Sequence, residues 1–431
     1  MDNQSSPPDL TQAVLELWQL EPLTRESLFA APTFGRLRAI CQERYFSEDC
    51  SKHALKIPLQ NALLSLRLPA TLTSSTAHLA LPAEVAAARL HSAFHQRKSK
   101  RIHLCPLDCV DDIPALNFGP NCVREISPDE FQELVDPDRL RRFNQTWVFD
   151  AERFANFSWL VVEEIVPLVG DPDTRGGTSS WFDINQDFCA INPHPRHFTA
   201  AVEDALFSLL LAPWEDWLHR PDVFNWRAFN IPWVYTVTDD IFERPNSPPS
   251  TDSLSWQLDS YLDRHGEEVE YERPVRLPIE EQISEVHTWL NDTAWSDLMR
   301  VRKSPLFEGP IGHFLVRGFL SNGIDEFLAH IMVIEAALGM REKKMTDRLA
   351  TRLSTLLGSN TAGDDFRKLF DLRCQFVHGR TMKSAIPGED RLRARQLARQ
   401  TAGALVKAAL ETPGHSCRQT YLNDLLSRGR P

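Results

Sequence analysis

From about residue 305 onward the chain is built of helix-favouring segments cut at near-regular intervals by glycine. The apolar spacing predicts helices over Gly323–Leu338, Lys344–Leu357, Asp364–His378 and Glu389–Leu410, with Ser416–Ser427 as a candidate fifth. Gly339, Gly358 and Gly379 each fall just past a predicted helix end, where a left-handed capping residue is expected. Helices joined by such short connections pack most readily as an antiparallel bundle. Few other folds accommodate that pattern.

The rest of the chain has a different texture. At 431 residues it is too long for one ordinary core. The expectation is therefore a multidomain protein, an α+β (mixed) N-terminal region preceding an all-α bundle. The divisions fall at 1–100, 101–300 and 301–431. Residues 1–100 mix helical patches such as Ala83–His95 with proline-rich breaks and the polar stretch Thr71–Thr76. The run Gln96-Arg-Lys-Ser-Lys-Arg101 marks a boundary and is expected to be a solvated linker, with a phosphate-contacting loop as the alternative. Residues 101–300 hold ten of the eleven tryptophans. There, strand-like runs (Arg101–Val110, Trp233–Thr238) alternate with helical ones (Asp129–Arg142, Ala200–Leu211), and Pro245–Asp252 reads as a loop. Irregularly spaced tryptophans in such a region are mainly core.

Composition narrows the class. With 42% apolar and 25% charged residues the chain is a globular protein. The first residues show neither a basic start nor an apolar run, so no export signal is expected. The oiliest stretches, Phe327–Leu338 and Phe157–Val169, are too short to span a bilayer. A cytoplasmic location without membrane contact follows as the expectation, and the eight dispersed cysteines then read as reduced thiols. Charge is unevenly spread. Residues 301–431 carry 21 Lys/Arg against 13 Asp/Glu, and residues 1–300 carry 26 against 46. A basic helical part behind an acidic body suits a domain that handles a polyanion.

The third predicted bundle helix reads Asp364-Asp-Phe-Arg-Lys-Leu-Phe-Asp-Leu-Arg-Cys-Gln-Phe-Val-His378, followed by Gly379. Its apolar stripe is Phe366, Leu369, Phe370 and Val377. Arg373 lies seven residues after Phe366, almost under it on the helix, where an apolar residue is normal. A guanidinium there needs an anion or a partner subunit to offset its desolvation. His378 follows five residues later, about 140° around and about 7.5 Å along the axis. The longer arginine reaches back toward the imidazole, so one phosphodiester can touch both. Spacing alone is not selective, since Arg89/His95 and Arg97/His103 satisfy a similar one.

The segment Phe327–Arg380, with Ile334-Glu-Ala-Ala-Leu338 and Leu369-Phe-Asp-Leu-Arg-Cys-Gln-Phe-Val-His-Gly379, resembles the Apea-like branch of HEPN domains. Phe118–Glu130 resembles an upstream segment of that family more weakly. The resemblance implies a HEPN-type antiparallel bundle and a metal-independent endoribonuclease. Arg373 and His378 would be catalytic, with Cys374 and Gly379 as supporting positions. It implies no cofactor and no metal, RNA (tRNA among the candidates) as substrate, and a homodimer through the helix carrying Arg373 and His378. Many active members have Asn, Asp, His or Ser after the arginine, whereas here Cys374 stands there. A toxin or antiphage abortive-infection role is the corresponding biological expectation. An unknown trigger or inhibitor would then act at the N-terminal region, which senses or restrains. The alternative is a non-catalytic dimerisation or RNA- or nucleotide-binding module, with function carried by the N-terminal region. A metal nuclease in that region is a third class.

Other constellations are weaker. His103, Cys105, Cys109 and Cys122, with Cys50 and His53 upstream, contain zinc-type ligands but no paired Cys-x-x-Cys. His194 and His197 lie in a proline-rich stretch. Glu163-Glu164 and Asp239-Asp240 lack a metal-site pattern, and adjacent carboxylates in a strand point to opposite faces. No phosphate-cradling glycine loop and no Gly-x-Ser-x-Gly turn is present.

Overall fold

The computed structural model describes residues 6–20, 25–46, 55–72, 76–110, 113–143, 149–168, 199–218, 227–277, 279, 285–307, 309–340, 345–377, 385–411 and 417–429. The protein is mixed α/β and 59% helical, with a region containing antiparallel sheet followed by a C-terminal helical region.

Up to His95 the described residues form helices joined by loops. Helices α1 (Pro8–Trp18), α2 (Arg25–Ala30), α3 (Pro32–Tyr45), α4 (Lys56–Ser65) and α5 (Ala83–His95) bury Leu10, Leu17, Phe34, Leu37, Leu63 and Leu90 in a core of their own. Phe242 completes that core from far along the chain, and its carbonyl accepts from Asn61 Nδ2 at 2.9 Å. The sequence prediction for Ala83–His95 matches α5 residue for residue.

Strands β1 (Lys98–Leu107), β2 (Leu116–Phe118), β3 (Asn121–Glu125), β4 (Ser158–Pro167) and β5 (Tyr235–Thr238) form one antiparallel sheet in the order β2-β3-β4-β1-β5. The linker expected over residues 96–101 is thereby corrected, because Lys98–Arg101 begins the second-to-last strand in that order. Its charges are answered across the strands. Ser99 is buried and donates to Asp239, Lys100 meets Glu163 at 2.8 Å, and Arg101 lies 3.7 Å from Glu243. Local composition indicated solvent, and cross-strand partners invisible to composition supplied a ladder.

The sheet separates two cores by its two-residue alternation. Leu104, Trp159, Val161 and Tyr235 face a small cluster with Phe131 and Phe154. Cys105, Leu107, Leu160 and Val162 face the main core. The single helix expected over 129–142 is two, α6 (Pro128–Val135) and α7 (Pro137–Arg142). Pro137 disfavours a helical residue before it, and Asp136 takes the left-handed conformation (φ 45°) while its carboxylate caps Arg139 N–H at 2.9 Å. A short helix α8 (Ala151–Phe154) precedes β4, and α9 (Ala200–Leu210) lies on the main-core side. Beyond β5, strands β6 (Trp256–Leu262) and β7 (Glu268–Pro274) make a separate hairpin.

Helices α10 (Val286–Trp289), α11 (Asp292–Val301) and α12 (Gly309–Leu320) lead into the predicted bundle. Its members are α13 (Gly323–Leu338), α14 (Met345–Leu357), α15 (Asn360–Val377), α16 (Gly388–Glu411) and α17 (Arg418–Arg428). Each expected helix is present within a few residues. Phe327, Ile331, Ile334, Leu353, Phe366, Leu397 and Leu405 fill the interior, each worth roughly 1.5–3 kcal/mol for its burial. The main core runs without a break from Cys105 to Leu425, across the position where the composition changes. The wholly buried Arg352 donates to the carbonyls of Leu338 (3.1 Å) and Leu422 (3.0 Å), a cation placed at the C-terminal end of α13.

Of the expected glycine caps, Gly358 is left-handed (φ 62°). Gly339 is not, having φ −75° and ψ 147°. A side chain on Gly339 would lie 2.3 Å from the Glu335 carbonyl oxygen, so close approach of backbone explains that glycine. Gly379 lies outside the described residues. No helix among the described residues is long and apolar enough to cross a membrane.

Candidate functional site

Arg373 sits in the second-to-last turn of α15. The helix buries Phe366, Leu369 and Phe370, but the stripe does not continue as predicted, because Val377 is 51% exposed. Leu372, Cys374 and Phe376 still pack against the core as partly buried side chains, and Arg373 is half-buried at its edge. Its guanidinium carbon stands 5.4 Å from the centre of the Phe370 ring, and its Nη2 is 3.9 Å from a carboxylate oxygen of Glu335 on α13. Burial pushes the Glu335 carboxyl above its ordinary value, with Arg373 pulling the other way. Cys374 is half-buried and packs on the main core. His378 and Gly379 follow Val377 and lie outside the described residues.

The resemblance segment Ile334–Leu338 therefore brings one more polar group to Arg373 than the sequence reading named. Glu335 was legible only as part of a motif. The pairing needs the third dimension, since α14 intervenes between the two helices in sequence. The 3.9 Å separation is long for an ion pair, so the guanidinium keeps capacity for a second anion. Glu335→Gln is expected to tighten binding of a polyanion at Arg373 roughly tenfold by removing a carboxylate that competes for the guanidinium. Anisotropy of a labelled oligonucleotide measures this, and weaker binding would show instead that Glu335 orients the arginine.

A second polar cluster was not anticipated. On α13, Glu326 and His330 are one turn apart, and on α16, Arg395 and Arg399 are likewise. All four are buried. Glu326 accepts from Arg395 at 2.5 Å, and Arg399 donates to Glu215 at 2.5 Å, with Asp216 3.7 Å away and Arg227 4.0 Å from Glu326. His330, Arg227, Arg395, Arg399 and Glu215 line a small pocket of about 30 Å³ between the sheet-bearing part and the helices. Burial drives the His330 imidazole down to about 3, Arg395 adding to the effect, so the ring is neutral at physiological pH. A side chain at Gly318 would come within 2.7 Å of its Nε2. The signal in the sequence was pairs of charged or titratable residues at four-residue spacing, Glu326/His330 and Arg395/Arg399, on two bundle helices.

Among the described residues the metal-ligand candidates do not assemble. His103 is buried in the sheet, with Nδ1 2.9 Å from Thr236 and Nε2 3.1 Å from Glu164. Cys105 lies in the main core, where burial pushes its thiol far up. Cys50, His53, His194 and His197 are outside the described residues. Among the described residues no three His, Cys, Asp or Glu side chains are grouped to hold a metal ion. Glu163 and Glu164 do point to opposite faces, toward Lys100 and His103 respectively. Comparison with protein-family models, with curated proteins and with solved structures finds no match for this chain.

Proposed function

We propose that this chain is a metal-independent HEPN-type endoribonuclease whose active pair is Arg373 and His378. One contrast carries the reading. The deep arginines Arg395 and Arg399 are held by carboxylates at 2.5 Å, whereas Arg373 sits at the rim of the same bundle with its carboxylate at 3.9 Å. A half-buried guanidinium so loosely held suits recruitment of a phosphate. In this reading His378 takes the proton from the ribose 2′-hydroxyl or returns one to the departing 5′-oxygen. Arg373 neutralises the charge that builds on the pentavalent phosphorus. The 2′-oxygen bonds to phosphorus as the 5′-oxygen leaves, giving a 2′,3′-cyclic phosphate and a 5′-hydroxyl.

The exposed Val377, which lies between Arg373 and His378 in the sequence, fits a seam against a second copy, so a homodimer through α15 belongs to the proposal. A cytoplasmic effector of toxin or abortive-infection type is the biological role it implies, the sheet-bearing part acting as restraint or sensor. Consistent with restraint, that part already sends Glu215 and Asp216 to Arg399 of the bundle.

The test is incubation of purified protein with tRNA and total RNA in EDTA. Cleavage is expected to persist and to leave cyclic-phosphate ends. Cleavage abolished by EDTA would instead put a metal nuclease elsewhere in the chain. Binding without cleavage would favour a non-catalytic module, in which Glu335 and Arg373 form only a structural pair.

A further inference from the structure

An open groove of about 630 Å³ lies where α16 meets the start of α15 and the short helix α10. Arg393, Gln400 and Lys407 line it from α16 at intervals of seven residues, so they share one face of that helix and recur about every 10 Å. Trp289 forms part of another wall and is 44% exposed, unusual for the most apolar-bodied side chain of a folded domain. Gly403 lies on the floor, and a side chain added there would meet nothing within 4 Å. Among the described residues no carboxylate lines the groove. Asp365 and Glu411 reach Arg393 (2.7 Å) and Lys407 (3.8 Å) from outside it.

We infer that this groove binds a short stretch of single-stranded RNA, one base stacking on Trp289 and the phosphates following Arg393 and Lys407. An aromatic platform beside a cation-lined track of this volume is the chemistry of sequence-tolerant single-strand binding. The bare floor at Gly403 lets a base or ribose approach the helix backbone. Ala362 of the groove stands eleven residues before Arg373 on α15, roughly 16 Å along the axis, so a strand a few nucleotides long reaches both. The inference rests on the ribonuclease reading only for the identity of the nucleic acid, because it makes the groove a subsite remote from the reacting phosphate.

The experiment uses the full chain and a fluorescein-labelled 2′-O-methyl RNA 12-mer, which cannot be cleaved by attack of a 2′-hydroxyl. Trp289→Ala is expected to weaken binding about tenfold, with Trp289→Phe restoring most of it. Gly403→Trp is expected to block binding by filling the groove, and it favours the helix over glycine. Lys407→Gln is expected to lower the salt dependence by about one ion. Circular dichroism confirms that each variant folds. Parent-like affinity in both Trp289→Ala and Gly403→Trp overturns the inference. So does stronger displacement by a poly-glutamate 12-mer than by unlabelled RNA, which would make the groove a site for acidic peptides. The two readings fail separately. Binding without cleavage of unmodified RNA removes the nuclease, while cleavage with groove-independent binding removes the groove.

Discussion

Arg373→Ala is expected to lower the RNA cleavage rate about a thousandfold while moving the thermal midpoint by only a few degrees. The size follows from the role assigned. A preorganised cation aimed at charge that develops in the transition state typically contributes a factor of about 100 to 1,000. A general acid–base histidine contributes about 100 to 10,000. In the proposed mechanism the two groups act on one phosphate, so the double variant Arg373→Ala/His378→Ala is expected to be little slower than the worse single variant. Arg373→Lys is expected to recover only a minor part of the rate, because an ammonium lacks the planar fork that grips two phosphate oxygens. The modest stability effect follows from position. Arg373 is half-buried, its contact with Glu335 is long, and such partly exposed pairs are worth about 1 kcal/mol or less. Single-turnover cleavage and thermal unfolding on the same preparations check both halves. If the rate falls only in proportion to the loss of folded protein, the catalytic role is wrong.

How far the sequence speaks differs between the parts of this molecule. The bundle helices were legible because their apolar periodicity and their glycine breaks agree, so local and tertiary preferences point the same way. Arg373 was legible as an anomaly on an apolar stripe. Its depth was not, because that depends on how far the neighbouring helices cover the last turns of α15, where Val377 is exposed. Residues 96–101 were misjudged for the same kind of reason. Lys100 and Arg101 pair with Glu163 and Glu243, and Gln96 and Ser99 donate to Asp239, partners more than sixty residues distant. Pro137 was visible and should have split the helix over 129–142 by itself. Helix α12 passed unnoticed, although Gly318 within it makes room for His330. The buried ionic cluster needed both α13 and α16 and also Glu215 from the sheet-bearing part, and no single stretch of chain announces that combination.

That cluster carries the second large expected effect. Glu326→Ala is expected to destabilise the protein by about 3–5 kcal/mol, since it leaves the buried guanidinium of Arg395 without the carboxylate it meets at 2.5 Å. The same cluster makes the fold acid-sensitive, and the sign can be worked out group by group. Burial raises the Glu326 carboxyl, and Arg395 with Arg227 more than reverses this, leaving it below its ordinary value. Its contribution is therefore complete at neutral pH and is lost as pH falls through the depressed folded value. His330 is lowered from 6.5 to about 3 by burial, with Arg395 opposing protonation as well. Below pH 6.5 the unfolded chain binds a proton that the folded chain refuses, so stability falls with falling pH, by up to about 1.4 kcal/mol per pH unit from this group. Between pH 7 and pH 5 the loss from His330 is expected to reach about 2 kcal/mol, read as a drop in the urea midpoint at unchanged slope. His330→Leu keeps an apolar body of similar size beside Gly318 and removes the titrating ring, so it is expected to flatten that pH dependence. An equally steep profile in His330→Leu would mean that the acid sensitivity arises elsewhere and that His330 accepts a proton more readily than the arginines around it imply.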